Sequence, residues 1–272
     1  MNLPALLSYA CPLILCSLGA LFTEYAGCLA LFLDGLVNFS AFLFYAFTVA
    51  TGSVLAGAVF ACLATVVLTL AFSALVERGA ANRFIAAIAM NLLFGALSSC
   101  LSWAIFGTRG VLAGTAAADL FTLSVAGVRA TTLVTTTGLV AMAVLFLGYD
   151  RHGLYIRIAG SDADVLKAKG VNPGHIRTLA WSLAALYGST AGCLLVMRLN
   201  SYVPNISSGR GWMALAAVFL GKKKPLRIVA AVLIFCLADI FSANLQNYFP
   251  ALPSSLLISL PYLVSLLLIL LK

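Results

Sequence analysis

The chain has 272 residues, 63% of them hydrophobic and 9% charged, with a formal net charge of +8; an average soluble domain carries about 25% charged residues. That composition excludes a water-soluble globule, and the continuous apolar runs exclude a transmembrane β-barrel, whose strands alternate apolar and polar positions. The basic residues lie beside apolar runs, where they set topology and meet anionic lipid headgroups, so the charge points to membrane lipid and no nucleic acid.

Apolar runs able to cross about 30 Å of hydrocarbon at 1.5 Å per helical residue fall at 3–22, 29–50, 52–76, 84–107, 131–149, 178–198, 228–246 and 254–271, with a shorter piece at 211–221. The sequence predicts an all-α, polytopic membrane helix bundle of about eight spans, forming one domain over residues 1–272. The first run lacks the basic start and small-residue cleavage site of a signal peptide and reads as a retained span. Arg78 and Arg83, then Arg151, Arg157, Lys167, Lys169 and Arg177, then Lys222, Lys223, Lys224 and Arg227, and finally Lys272 mark one cytoplasmic side. By parity the loops around 108–130 and 199–210 face outward, as does Met1. As a helix the 211–221 piece is only about 16 Å long, so it reads as a broken or re-entrant element. Non-helical backbone at membrane depth is tolerated where protein or a water-filled cavity satisfies it, which points to a lined pathway.

Polar groups inside the spans are costly, a carboxylate by about 2.5–3.5 kcal/mol on insertion scales, so Glu24, Asp34 and Asp239 need partners or water. Asp34, Asn38 and Asn91 are candidate pathway residues, with Asp34 equally able to brace a helix and Asn38 and Asn91 reading more readily as hydrogen-bonding partners for polar neighbours. Trp212 and Phe219 on the short piece, or Tyr25 and Tyr45, offer rings for stacking on a planar cargo. Asn244, with Asp239, sits toward the outer end of its span and reads as a hydrogen-bonding residue. Gly52, Gly57, Gly95, Gly188 and Gly192 allow close helix approach. The seven cysteines lack a C-x-x-C pair and only two histidines are present, so the cysteines read as small buried hydrophobes and no metal site or catalytic cluster is predicted.

The least apolar stretch is the cytoplasmic loop 150–177, containing RIAGSDADVLKAKGVNPGHIRTLAW. Ser161 is placed to cap a short helix through residues 162–167, with carboxylates at its start and lysines at its end, before Gly170 and Pro173 stop it. Such a helix is either a rigid peg that receives force from a soluble partner or an ordinary solvated loop.

RIAGSDADVLKAKGVNP, followed by an apolar helix carrying Tyr187, Gly188, Ala191 and Gly192, resembles the ATPase-docking segment of importer permeases of the ABC transporter family for branched-chain amino acids, simple sugars and nucleosides. TEYAGCLALFLDGLVNFSAF, AAIAMNLLFGALSS and SGRGWMALAAVFLGKKKPLRIVAAVLIFCLADIF are similar to the same family in the same order, the nucleoside-type branch best. Some members of that branch resemble the riboflavin permeases of spirochaetes. The family's NIGLEG stretch reads ALFLDG here, with Asp34 in the acidic position and Ala30 where Asn is common. The resemblance implies a multi-pass permease of the bacterial inner membrane that imports a nucleoside or riboflavin, or alternatively a sugar or branched-chain amino acid. It implies docking of an ATPase by Gly160, Ser161, Asp162, Ala163, Leu166, Ala168, Gly170 and Val171. It also implies a second permease, identical or homologous, and an extracytoplasmic substrate-binding lipoprotein. The chain has no phosphate-cradling G-x-x-x-x-G-K-[ST], so ATP and magnesium belong to the ATPase and this chain carries no cofactor of its own. An ion-coupled carrier would show inverted repeats, and no internal duplication is visible.

Overall fold

The computed structural model describes residues 3–113 and 125–248, together with Leu263. Ten helices lie among the described residues: α1 (Leu3–Tyr25), α2 (Leu33–Thr51), α3 (Val54–Arg78), α4 (Arg83–Phe106), α5 (Val125–Tyr149), α6 (Arg151–Ser161), α7 (Ala163–Ala168), α8 (Pro173–Leu199), α9 (Arg210–Leu220) and α10 (Pro225–Tyr248). Seven are long and apolar enough to cross a membrane. The expected eighth span, at 254–271, lies outside the described residues. Span ends differ from expectation by a few residues, chiefly because polar residues at the ends continue a helix that hydropathy alone would stop.

Local chemistry sets the turns. α2 closes at Gly52 (φ 67°), whose N–H donates to the Thr48 carbonyl, and Ser53 then caps α3 by accepting from Ala56 N. Asn82 caps α4 by accepting from the amides of Phe84 and Ile85, and Asn172 caps α8 by accepting from Gly174 N, with Pro173 in the first turn.

The layers follow from burial. In α1, α2 and α8, 72–78% of the span is buried, against 22–33% in α3, α4, α5 and α10, so three central helices are wrapped by four peripheral ones. Small residues set the central spacing. A Cβ on Gly192 would stand 2.2 Å from Ser40 Oγ and 2.6 Å from the Val37 carbonyl, and one on Gly57 would stand 2.1 Å from Thr48 Oγ1. Gly188 likewise packs on Leu33 and Leu36. Gly52 and Gly95 depart from the expected role, because a Cβ at either meets nothing within 4 Å. Gly52 supplies a left-handed cap, and Gly95 faces open space. Cys11, Cys16, Cys28, Cys193 and Cys236 are buried as expected, whereas Cys62 is half-buried and Cys100 exposed. Large apolar side chains exposed along the peripheral helices, such as Leu63, Val67, Leu92 and Trp103, suit a lipid surface.

The basic loops gather at one end. Lys223 Nζ stands 3.0 Å from Glu24 Oε1, the Tyr25 hydroxyl donates to the Lys223 carbonyl, and Arg157 lies over the Tyr25 ring. Glu77 pairs with Arg83 and faces Arg177. The opposite end joins Leu112 to Tyr202 through an antiparallel bridge. There Arg198 covers the Tyr9 ring at 4.5 Å, and the Tyr9 hydroxyl donates to Asp239. The start of α1 thus lies at the end opposite the basic loops, and Glu24 and Asp239 both have partners.

Gly192→Val is predicted to lower the thermal unfolding midpoint in detergent, by overpacking worth about 1–3 kcal/mol, while Gly138→Ala, where nothing lies within 4 Å, leaves it unchanged.

Candidate functional site

Among the described residues, two stretches inside the bundle are not helical. The first, residues 26–32, follows the cytoplasmic end of α1 and is buried, with Ala26, Cys28, Ala30 and Phe32 at most 3% exposed. Its backbone is satisfied locally, Ala26 N donating to the Phe22 carbonyl and Cys28 N to the Thr23 carbonyl. The Phe32 ring packs on Trp181 at 4.9 Å. The second, 200–209, was expected to remain an outward loop, yet it passes inward. Ile206 N donates to Asn38 Oδ1 at 3.3 Å, and Ile206 and Ser207 are buried. Asn200, Asn205 and Ser208 all hold positive φ (51°, 58° and 46°), a backbone state that non-glycine residues keep only where their surroundings over-determine it.

Each broken stretch feeds a helix that starts within the membrane. α9 has 11 residues, about 16 Å at 1.5 Å per residue, and ends in the cytoplasmic Lys222–Lys224 turn, so its start lies near mid-depth. The start of α2 meets it there: Asp34 Oδ1 accepts from Gly211 N at 3.2 Å. Gly211 permits the approach, since a Cβ would stand 2.4 Å from Asp34 N. The cap of α9, Gly209, has no side chain to satisfy the first amides, and Asp34 supplies the missing acceptor at the positive end of the helix. The helix-bracing geometry of Asp34 is thus present, and the same residue borders the cavity below.

That cavity, about 440 Å³, is bounded by Asp34, Gly35, Asn38, Asn91, Leu92, Gly95, Ala96, Ser99, Asn205 and Ser207. Asn91 Oδ1 accepts from Gly35 N at 2.6 Å, and Asn38 Nδ2 donates to Ser98 Oγ at 3.0 Å. The stacked Phe39 and Phe94 rings, 5.2 Å apart, hold α2 on α4 beside it. Ser207 Oγ is buried on this wall with no hydrogen-bond partner among the described residues, a capacity that a polar molecule entering the cavity would meet. Of the expected pathway residues, Asp34, Asn38 and Asn91 are brought together here. Trp212 and Phe219 are not: both are about half exposed and neither borders this cavity. Tyr45 is packed against Phe106 at 5.8 Å, and Tyr25 serves the cytoplasmic contacts above. Ser99, Asn205 and Ser207 were not singled out from the sequence, and Gly95 reads there only as a packing glycine. The signal for Asn205 and Ser207 is NISSGRG, a cluster of turn formers directly before a helix too short to span.

The cytoplasmic segment forms two helices where one was expected. α6 runs through Ser161, whose hydroxyl donates back to the carbonyls of Arg157 and Ile158, so Ser161 ends a helix instead of capping one. The cap belongs to Asp162, whose carboxylate accepts from Asp164 N at 3.0 Å. The extended backbone of Asp162 (φ −152°) makes the break, and of two adjacent cap formers the one in the extended conformation does the capping. Lys167 Nζ, 2.8 Å from Asp164 Oδ1, holds that solvent-exposed carboxyl below the usual carboxylate range. Leu166 is fully buried and anchors α7, with the Val171 amide donating to its carbonyl. Gly160 seats the segment on the end of α1, where a Cβ would stand 2.1 Å from the Tyr25 carbonyl. Ser161, Asp162, Ala168 and Gly170 are exposed, with Ala163 and Val171 half-buried. Among the described residues no three His, Cys, Asp or Glu side chains converge as a metal site.

Gly95→Trp is predicted to fill the cavity and abolish uptake by the assembled transporter while leaving expression and the thermal midpoint as in the parent chain; uptake in cells and detergent unfolding check the two halves.

The family model for the branched-chain amino acid transport system / permease component matches residues 2–271. The guanosine ABC transporter permease protein NupQ of Bacillus subtilis is 27% identical over 97% of this chain and 89% of its own length. The nucleoside ABC transporter permease protein NupC of Lactococcus lactis subsp. cremoris is 24% identical over 96% and 88%. The ribose import permease protein RbsC of Escherichia coli is 31% identical over 54% and 46%. Among solved structures, PsaBC from Streptococcus pneumoniae in complex with Fab superposes with a TM-score of 0.57 at 15% identity, covering 97% of this chain and 89% of that one, which shows a shared fold. The chain is a multi-pass membrane protein and belongs to the family of branched-chain amino acid transport system permease components, the membrane-embedded transport subunits of ABC importers.

Proposed function

We propose that this chain moves a nucleoside inward through the mid-depth cavity, using ATP hydrolysed by a separate ATPase seated on α7. The observation that carries the reading is the cavity itself: amides and hydroxyls of Asn38, Asn91, Asn205, Ser99 and Ser207 around the Asp34 carboxylate, at membrane depth. Such a rim can exchange hydrogen bonds with a sugar hydroxyl or the edge of a base, and among the described residues no cationic side chain lines it; the neighbouring Arg210 guanidinium is engaged with the Ile206 and Ser207 carbonyls. That favours a neutral, polyhydroxylated cargo over an amino acid. The relatives matching nearly the whole chain are named for guanosine and nucleoside transport, which points the same way. Riboflavin, also neutral and polyhydroxylated, and ribose are the other cargoes this rim would accept.

The cavity is open on the side of α2 and α4, and a second permease, identical or homologous, closes it in this reading. A substrate-binding lipoprotein delivers cargo to the outer face near Tyr202 and Asn200. At the other end the exposed edge of α7, with Ser161, Asp162 and Ala168, fits a cleft of the ATPase, while buried Leu166 and close-packed Gly160 pass the load to α1. ATP and magnesium reside on the ATPase. Docking on a short, well-seated helix requires that it resist being pushed, and the anchoring of Leu166 and Gly160 supplies that resistance.

Two measurements test this. Ala168→Glu is predicted to abolish co-purification of the ATPase from membranes while the permease expresses and folds normally; normal co-purification would remove α7 as the docking element. The cognate binding protein is predicted to gain thermal stability with nucleosides and not with branched-chain amino acids, since a ligand at about 100 times its Kd adds about 2.7 kcal/mol. A shift with riboflavin or ribose alone would replace the nucleoside assignment.

A further inference from the structure

The cytoplasmic ends of three helices meet at one carboxylate. Glu77, in the last turn of α3, accepts from Arg83 Nε at 2.5 Å and from Arg83 Nη2 at 3.1 Å, a two-pronged pairing with the first residue of α4. Arg177, in the first turns of α8, places Nη1 3.9 Å from the same carboxylate. Arg177 also reaches the other way, its Nη2 donating to the Ala159 carbonyl near the end of α6 at 3.4 Å. The Glu77 and Arg177 side chains are only 15% and 16% exposed, so this is a shielded cluster and not a pair of surface charges. Charge-assisted, forked hydrogen bonds of this kind fix geometry as well as supplying energy.

The partners of Glu77 lead to two different places. Through Arg177 and Ala159 it is tied to α6 and the short helix α7 that follows. Through Arg83 it is tied to α4, the helix that carries Asn91, Gly95 and Ser99 of the cavity wall. α3 packs closely along α8 but barely touches α4, which rests on α2 instead. A displacement of the cytoplasmic segment can therefore carry α8 and α3 together by packing, while the end of α4 is reached through the Glu77–Arg83 pairing. A cleft of about 680 Å³ opens beside the cluster, with Glu77, Arg83, Lys167, Asn172, His175 and Arg177 on its walls. These side chains have room to re-aim without a core being crushed.

We propose that Glu77 is the positioning residue that joins the ATPase-docking segment to the wall of the transport cavity. The proposal rests on the docking role assigned to α7. Movement imposed on α7 passes through Ala159 and Arg177 to Glu77, then through Arg83 into α4, where it shifts Asn91 relative to Gly35 and so alters the cavity at the start of α2. Glu77 itself touches no cargo and no nucleotide.

The test uses the complete transporter, permease with its ATPase, in lipid nanodiscs, with the native cysteines replaced and Ser99→Cys as a reporter on the cavity wall. A membrane-impermeant maleimide reads its accessibility with and without ATP and vanadate, so no cargo need be known. In Glu77→Gln the ATPase still co-purifies and hydrolyses ATP, but the ATP-dependent change in labelling falls by about two- to thirtyfold, the range expected of residues along a coupling route. Arg83→Gln, at a site 40% exposed and thus tolerant of change, gives the same loss, and Glu77→Asp restores most of the response. A merely structural role would lower the thermal midpoint and hydrolysis together and would leave the ratio of labelling change to hydrolysis intact. If the parent transporter responds to ATP and both variants respond equally, the proposal is overturned. If the parent itself shows no ATP-dependent change, the docking reading beneath it fails and takes the proposal with it.

Discussion

In hydrocarbon no water is available to satisfy a backbone N–H or C=O, so any helix that begins inside the membrane must bring its own partners. This chain has two such beginnings, at Leu33 and Arg210, and sets them against each other: Asp34 accepts from Gly211 N while Asn91 accepts from Gly35 N. Asn38 secures the irregular stretch above them by accepting from Ile206 N. The polar groups that make two broken helices tolerable are the same groups that line the cavity. Cavity lining and structural necessity therefore share residues, and the cost of placing a carboxylate at this depth is met by a helix start that needs an acceptor.

The surrounding structure reads as support for that junction. Gly188 and Gly192 bring α8 against the first half of α2, Gly57 brings α3 against its far end at Thr48, and the stacked Phe39 and Phe94 hold α4 beside it. The junction is stiff where α1, α2 and α8 pack, and open where Gly95 leaves space. At the cytoplasmic face Gly160 lies against the end of α1 and the cluster around Glu77 gathers the ends of α3, α4 and α8.

Much of this was legible in the sequence. Hydropathy located each of the seven observed spans, the basic loops gave the side, and the shortness of 211–221 gave the broken element. Asp34, Asn38 and Asn91 stood out because polar groups are expensive where they sit. What escaped were features set by contacts distant in sequence. NISSGRG looks like an ordinary surface turn until Asn38 draws Ile206 inward, and Glu77 looks like a loop charge until Arg177 arrives from a helix far along the chain. Trp212 and Phe219 were attractive as rings on the half-helix, yet the buried face of α9 carries Gly211, Ala214 and Val218, where the helix packs chiefly on α1 and Gly211 meets the start of α2. Ser161 and Asp162 are equally good cap formers, and only the extended backbone at Asp162 decides between them. The helix at 151–161 buries only the short stripe Gly153, Ile156 and Ala159 amid polar residues, too little to announce it, and is held by contacts with its neighbours.

The central claim is that the junction of the two broken helices borders a water-filled path. Hydrogen–deuterium exchange of the chain in lipid nanodiscs measures this directly, comparing backbone amides of 203–211 with those in the middle of α1. The account predicts exchange within minutes at 203–211 despite their depth, against protection for hours in α1. Equal protection of the two segments would mean that the junction is sealed in protein and lipid, and would contradict the pathway.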